Sequence, residues 1–180
     1  MTMNTTIPYY DIANRFLLGF LFAVGMFLLH ANKILSFIST KVQEFKIPGS
    51  AETIITICFI AAIYEIGVVF NRISSVGTEE LLIKIKFWPP HSNYTWYNRA
   101  KEHYKIIPTL AREYDFYKGH ITLFFLLGIY SLALLRWWFA LACAVFVIIF
   151  IVSGRKQSKR INELVKDFEE TSTKPEDLMA

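Results

Sequence analysis

The 32 residues from Ile121 to Val152 carry one charge, Arg136. As a single straight helix they would reach roughly 48 Å, at ~1.5 Å per residue. The hydrocarbon core of a bilayer is only about 30 Å thick. The stretch therefore either projects far out of a membrane or folds back near Arg136 and crosses twice. Arg136-Trp137-Trp138 favours the hairpin, because indole rings settle at headgroup level and a guanidinium can snorkel into water. No Gly or Pro marks the turn. Each arm is about 15 residues against the usual ~20, so the flanks Phe116-Tyr117 and Ser153-Gly154 are needed to lengthen them. Spans are expected at about 117–135 and 137–154.

Two further apolar runs precede this one. The first predicts a span over about 12–31, with Asp11 able to cap it. Gly19 and Ala23 make a small-xxx-small pair, and Gly25 adds a third small position, so a neighbouring helix can approach closely. That neighbour is either another span of the same chain or a second copy. Ile34 to Ile38 can extend the helix beyond the bilayer. Pro48-Gly49 then ends the connector, and Ser50 can cap the next helix. The second run predicts a span over about 51–71. It holds Glu65, the one acidic residue inside any apolar run. Exposing a charge to lipid costs at least ~2.5 kcal/mol, so such a group usually faces protein or water. Glu65 could pair with Arg15, Arg72 or Lys118, all expected near one membrane face. It could instead line a pore or act as a conformational switch.

The only sizeable polar segment between spans is 72–116. Thr78-Glu79-Glu80 reads as a helix start, since carboxylates suit the positive end of a helix dipole. Pro89-Pro90 must stop that helix. Tyr94, Tyr97, Ala100, Tyr104 and Ile107 share a face of a second helical pattern, an aromatic surface for interaction. Pro108 suits the first turn of a third helix. The spacing of Leu110, Tyr114, Tyr117 and Ile121 then runs that helix directly into the third span, with a bend possible at Gly119. After the hairpin comes a basic cluster, Arg155, Lys156, Lys159 and Arg160. Ile161, Leu164, Val165 and Phe168 trace a narrow apolar stripe beyond it. This predicts a short amphipathic helix in the tail 155–180, lying on headgroups or docked on protein. Thr171 to Ala180 reads as a disordered end.

The expected fold is thus an all-α membrane protein: four transmembrane helices, a helical segment between spans two and three, and a C-terminal amphipathic helix, in one integral membrane domain. A composition 54% hydrophobic, with sixteen Phe and nine Tyr, suits lipid contact and interfacial belts. The first apolar run has no cleavage site after it and reads as a retained span. Of the nineteen Lys and Arg, fifteen fall on the side of the two termini and the middle segment and four on the other. The positive-inside rule then puts both termini in the cytoplasm. The net charge of +4 reads as topology, with no direct nucleic-acid partner expected. Cys58 and Cys143 lie in apolar runs and read as packing residues. His91, His103 and His120 have no ligand spacing and read as surface or capping groups. No phosphate loop, zinc helix or nucleophile elbow is present, so neither catalysis nor a cofactor is expected.

Two polar-aromatic strings sit at the cytoplasmic mouths of spans two and three. One is Tyr64-Glu65-Ile66-Gly67 running to Asn71-Arg72. The other runs from Arg112 through Glu113, Tyr114, Asp115, Phe116, Tyr117, Lys118 and Gly119 to His120. Within the second, only Asp115 and Lys118 are well placed to pair along one helix. Such charges can zip helices together or form a layer whose rearrangement reports strain in the membrane. These strings, on a four-span chain with a cytoplasmic middle segment, resemble the KwaA membrane subunits of the bacterial Kiwa anti-phage system. The resemblance implies a homo-oligomeric inner-membrane sensor that contacts membrane lipid and recruits a cytosolic, KwaB-like protein partner. An oligomeric pore that depolarises the cell is the competing expectation.

Overall fold

The computed structural model describes residues 9–41, 49–90 and 93–173. The polar N-terminus up to Pro8, the Pro48 turn, His91 and the tail beyond Thr173 lie outside them. The described backbone is helical, with α1 (Tyr9–Lys41), α2 (Gly49–Ile73), α3 (Glu79–Lys84), α4 (Tyr94–His103), α5 (Ile107–Ala133) and α6 (Trp137–Thr173). Four helices are long and apolar enough to cross a membrane: α1, the run from α2 into α3, α5 and α6. The chain is an all-α, multi-pass membrane protein. Large apolar side chains such as Ile57, Phe59, Ile148 and Val152 point outward from these helices, as hydrocarbon as solvent permits.

Close contacts give the helix directions. A Cβ on Gly19 would fall 1.7 Å from the Ile63 carbonyl oxygen, and one on Gly67 would fall 1.7 Å from that of Arg15. Position rises along α1 as it falls along α2, so the pair is antiparallel and touches backbone to backbone. Glycine is required at both points because any side chain would collide with a main chain that cannot retreat. Leu18 packs on Gly119, and Gly25 packs on Leu127, so α1 and α5 run parallel. The start of α1, the segment 74–106 and the end of α6 therefore gather at one end of the bundle, its base. Leu18, Leu29, Phe70, Leu123, Leu127 and Cys143 form the buried core between the spans.

The stretch 121–152 is a hairpin, and its turn is a Schellman motif. The Arg136 amide donates to the Ser131 carbonyl (2.9 Å), and the Leu135 amide to that of Leu132 (2.9 Å). Leu135 takes the left-handed position, with φ 58°. Glycine normally fills that position, which is why the sequence carried no turn signal. The corner after α3 repeats the device, with Lys86 at φ 60° and Phe87 and Lys86 amides donating to Leu82 and Ile83 carbonyls.

Three expectations change. Thr78 does not start a helix. It is helical itself and makes no capping bond, because α2 runs through a π-helical stretch, Ser74–Thr78, straight into α3. The helix after the fourth span is not a separate short element. It is the far half of α6, unbroken over 37 residues, and it continues as helix through Thr171–Thr173. α1 does extend past residue 31, but through a kink at His30 (φ −116°, ψ 15°). There the His30 Nε2 lies 2.8 Å from the Tyr130 hydroxyl of α5.

Candidate functional site

The π-helical stretch decides which residues enter the site. The buried face of α2 follows Ile63, Gly67, Phe70 and Ser74. In an unbroken α-helix that face would continue through Thr78, Leu81 and Ile85. Instead Glu79 and Leu82 are buried, whereas Leu81 and Ile85 are half exposed. One extra residue in the turn has moved the inward face by one position. Glu79 is thereby turned into the bundle at its base.

There it meets α5. The Lys118 Nζ lies 2.9 Å from Glu79 Oε2 and 2.8 Å from Asp115 Oδ1. The Tyr114 hydroxyl donates to Glu79 Oε1 at 2.7 Å, and its ring lies 5.4 Å from the Lys118 nitrogen. Lys118 is 5% exposed and Glu79 8%. Isolated, either charge would carry a desolvation penalty of several kcal/mol (order of magnitude), which mutual pairing and hydrogen bonds offset. Thr122 donates to the Lys118 carbonyl (3.1 Å), so Thr78, 2.7 Å away, is the donor to Thr122. One hydroxyl chain thus ties the π-helical stretch to α5. A cleft of about 470 Å³ opens beside the pair, lined among others by Tyr94, Tyr97, Asn162 and Ser158.

The base is closed by α6. Ala100, Ile107 and Leu110 from α4 and α5 pack on Ile161 and Val165 of α6, with Tyr97, Tyr104, Leu164 and Phe168 around them. The aromatic face of α4 and the apolar stripe of α6, two separate interaction surfaces in the sequence, cover each other. Only Tyr94 of the three tyrosines stays exposed, at 76%. The Tyr104 hydroxyl donates to Asp167 Oδ2 at 2.7 Å. That bond holds its phenol above the ordinary value. Burial, then the Asp115 carboxylate and Tyr94, push the Tyr97 phenol up. Gln157 of α6 donates to Glu113 of α5.

The remaining sequence candidates are dispersed. Glu65 is exposed on the outer face of α2, and among the described residues it forms no ion pair with Arg15, Arg72 or Lys118. Arg15 instead donates to the Tyr64 hydroxyl (3.3 Å), and Lys118 belongs to Glu79 and Asp115. Arg72 and Arg112 are exposed. Gly19 and Gly25 serve contacts within the chain, to α2 and α5, and Ala23 is half-buried. Arg155, Lys156, Lys159 and Arg160 are exposed around α6. His120 is neither a surface nor a capping group. It is 1% exposed among Phe116, Phe124 and Phe150, with Nδ1 2.8 Å from the Phe116 carbonyl and Nε2 without a partner. Glu79 was missed as a site residue because its register depends on the π-helical stretch, which has no sequence signature.

Among the described residues, no three His, Cys, Asp or Glu side chains gather as metal ligands would. Comparison with protein-family models, curated proteins and solved structures returns no match.

Proposed function

We propose that the chain is a sensor and scaffold in the inner membrane of a bacterium, part of an antiviral defence system, with both termini in the cytoplasm. It passes envelope perturbation to a cytosolic effector protein, as the resemblance to KwaA subunits implies. The observation that carries this reading is mechanical. α5 and α6 each run unbroken from the hairpin turn into the base, so a shift of either helix within the membrane must also move the base. The buried Glu79–Lys118 pair is the element we assign as the switch: breaking it on a helix shift would give the base a second state beside the paired one. The positive-inside count supplies the orientation.

The test is a pull-down from native membranes with a tag on the C-terminus and the neighbouring genes expressed alongside. A stoichiometric soluble partner is the expected result. A lone homo-oligomer would overturn the scaffold.

One observation favours a second reading, an oligomeric pore. Glu65 forms no ion pair among the described residues and lies on the outer face of a span, where a carboxylate against lipid is costly. Assembly of several copies would move it from lipid into an interface or lumen. Purified oligomer in liposomes should then conduct, and Glu65→Gln should change that conductance. Liposomes that stay tight exclude the pore.

A further inference from the structure

Where α6 leaves its apolar run, the corner after α3 folds down against it. The corner is pinned at both ends. The Trp88 indole N–H donates to the Ile151 carbonyl at 3.2 Å, and the Asn162 side chain donates to the Pro90 carbonyl at 2.9 Å. Trp88 is 2% exposed, and a Cβ on Gly154 would come within 2.5 Å of its ring. Between corner and helix lies a cleft of about 420 Å³. Its wall is apolar, formed by Trp88, Phe87 and the two prolines at 89 and 90. Its rim carries Lys86, Arg155 and Lys159.

These three cations meet without an acid. No carboxylate lines the cleft, and among the described residues none of the three forms an ion pair. Like charges brought together repel unless an anion sits between them. Two come from consecutive turns of α6 and the third from the left-handed position after α3, so the fold itself assembles the cluster. Its depth is also fixed. Arg155 comes three residues after Val152, where the apolar run ends, a position that suits headgroup level. Phe87, half exposed in the wall of the cleft, offers apolar surface beside these cations.

We infer that this cleft is a binding site for an anionic phospholipid of the same leaflet. The phosphate sits among Lys86, Arg155 and Lys159, and the start of the acyl chains lies on Phe87 and the two prolines, with the buried Trp88 holding that wall in place. A basic pocket between elements at the membrane surface selects such headgroups over zwitterionic ones. The site would tie the corner after α3, and through it Glu79, to the composition of the leaflet. The inference does not depend on the proposed sensor role.

The same helix supplies its own control. Lys156 and Arg160 lie one residue further along α6, carry equal charge and stand outside the cleft. The full-length protein, extracted in mild detergent, is examined by native mass spectrometry with added phosphatidylglycerol or phosphatidylcholine. Phosphatidylglycerol should be retained in preference. R155Q/K159Q should lower its retention about tenfold, and K156Q/R160Q should leave it within about twofold. K86Q should weaken it and K86R restore it, because Lys86 is distant in sequence and meets the lipid only through the fold. Equal losses in the two double variants would mean a diffuse positive field and overturn the site. So would equal retention of the two lipids. Displacement of bound phosphatidylglycerol by millimolar inorganic phosphate would show a site for a free anion instead. All the substituted side chains are exposed, and thermal melts of each variant in the same detergent separate lost binding from lost fold.

Discussion

Lys118 is the residue on which the base turns. It is almost wholly buried, it holds two carboxylates, and its only solvent-facing partner is the half-exposed Asp115. Lys118→Met removes the cation that lies 2.9 Å from the buried Glu79 carboxylate, to which Tyr114 still donates. Removing one member of a buried pair costs about 3–5 kcal/mol, and a melt of the detergent-solubilised protein should show a loss of that order. Adding Glu79→Leu should return most of it, because the stranded charge goes too; part remains lost, since Tyr114 then has no acceptor. If the double variant is no more stable than the single one, the pair is not the thing the base is built on. His120 is the opposite case, a polar group whose surroundings ask for an apolar one. Its Nε2 is buried and unpartnered in an aromatic box. The Phe116 carbonyl it contacts already lies within helix α5. His120→Phe should therefore be neutral or raise the melting point, as removal of an unsatisfied buried polar atom does by about 1–3 kcal/mol. A clear drop would mean that Nε2 has a partner in the membrane.

At the level of elements, the π-helical stretch between α2 and α3 acts as a one-residue insertion that sets the register of everything after it. Val76 within it is 72% exposed. Deleting Val76 should convert the turn to ordinary α-helix while leaving Glu79 facing Lys118. Deleting Ala62, upstream in α2, should instead rotate the following face by about 100° and bury the wrong residues. Extraction yield and melting point should survive the first deletion and not the second. The same stretch marks the limit of what the sequence reveals. The four spans, Pro108 at the start of α5, the unbroken rise of α5 and the Asp115–Lys118 pair were all legible, since each rests on composition or on spacing within one helix. The hairpin was legible from its length and from Arg136-Trp137-Trp138. Its turn was not, because Leu135 holds the left-handed position through backbone hydrogen bonds that every residue but proline can donate. Glu79, the partner of Lys118, was hidden because it needs two helices and a π-helical register together. His120 was misread because burial is a property of the bundle rather than of its neighbours in sequence.

At the scale of the whole molecule, α6 is the member that joins membrane to base. At ~1.5 Å per residue its 37 residues reach roughly 55 Å, against a hydrocarbon core of about 30 Å. Nearly half of the helix therefore lies beyond the hydrocarbon core, and its apolar stripe is spent on α4 and α5. In the proposed sensor this docking would make the helix a lever: a rod that left the membrane without touching α4 could move without consequence. Val165, 2% exposed beside Ala100, Ile107 and Leu110, is the centre of that contact. A carboxylate there would enter an apolar cluster that holds no cation, so Val165→Asp should lift α6 off α4 without disturbing the hairpin, whose contacts lie at the other end of the bundle. α4 carries Arg99 and Lys101, and Lys105 comes just after it, all cleavable by trypsin once the helix is released. With the base on the cytoplasmic side, as proposed, cleavage there in inside-out membrane vesicles should accelerate about tenfold or more, the equilibrium weight of a buried unpaired charge. Lys166→Gln, at an exposed position one residue on, should leave the rate unchanged. In a sensor of the proposed kind, Val165→Asp should also uncouple the partner from events in the membrane while the spans remain folded. A variant with rapid cleavage and intact signalling would place the lever in α5 alone, through Lys118 and Glu79.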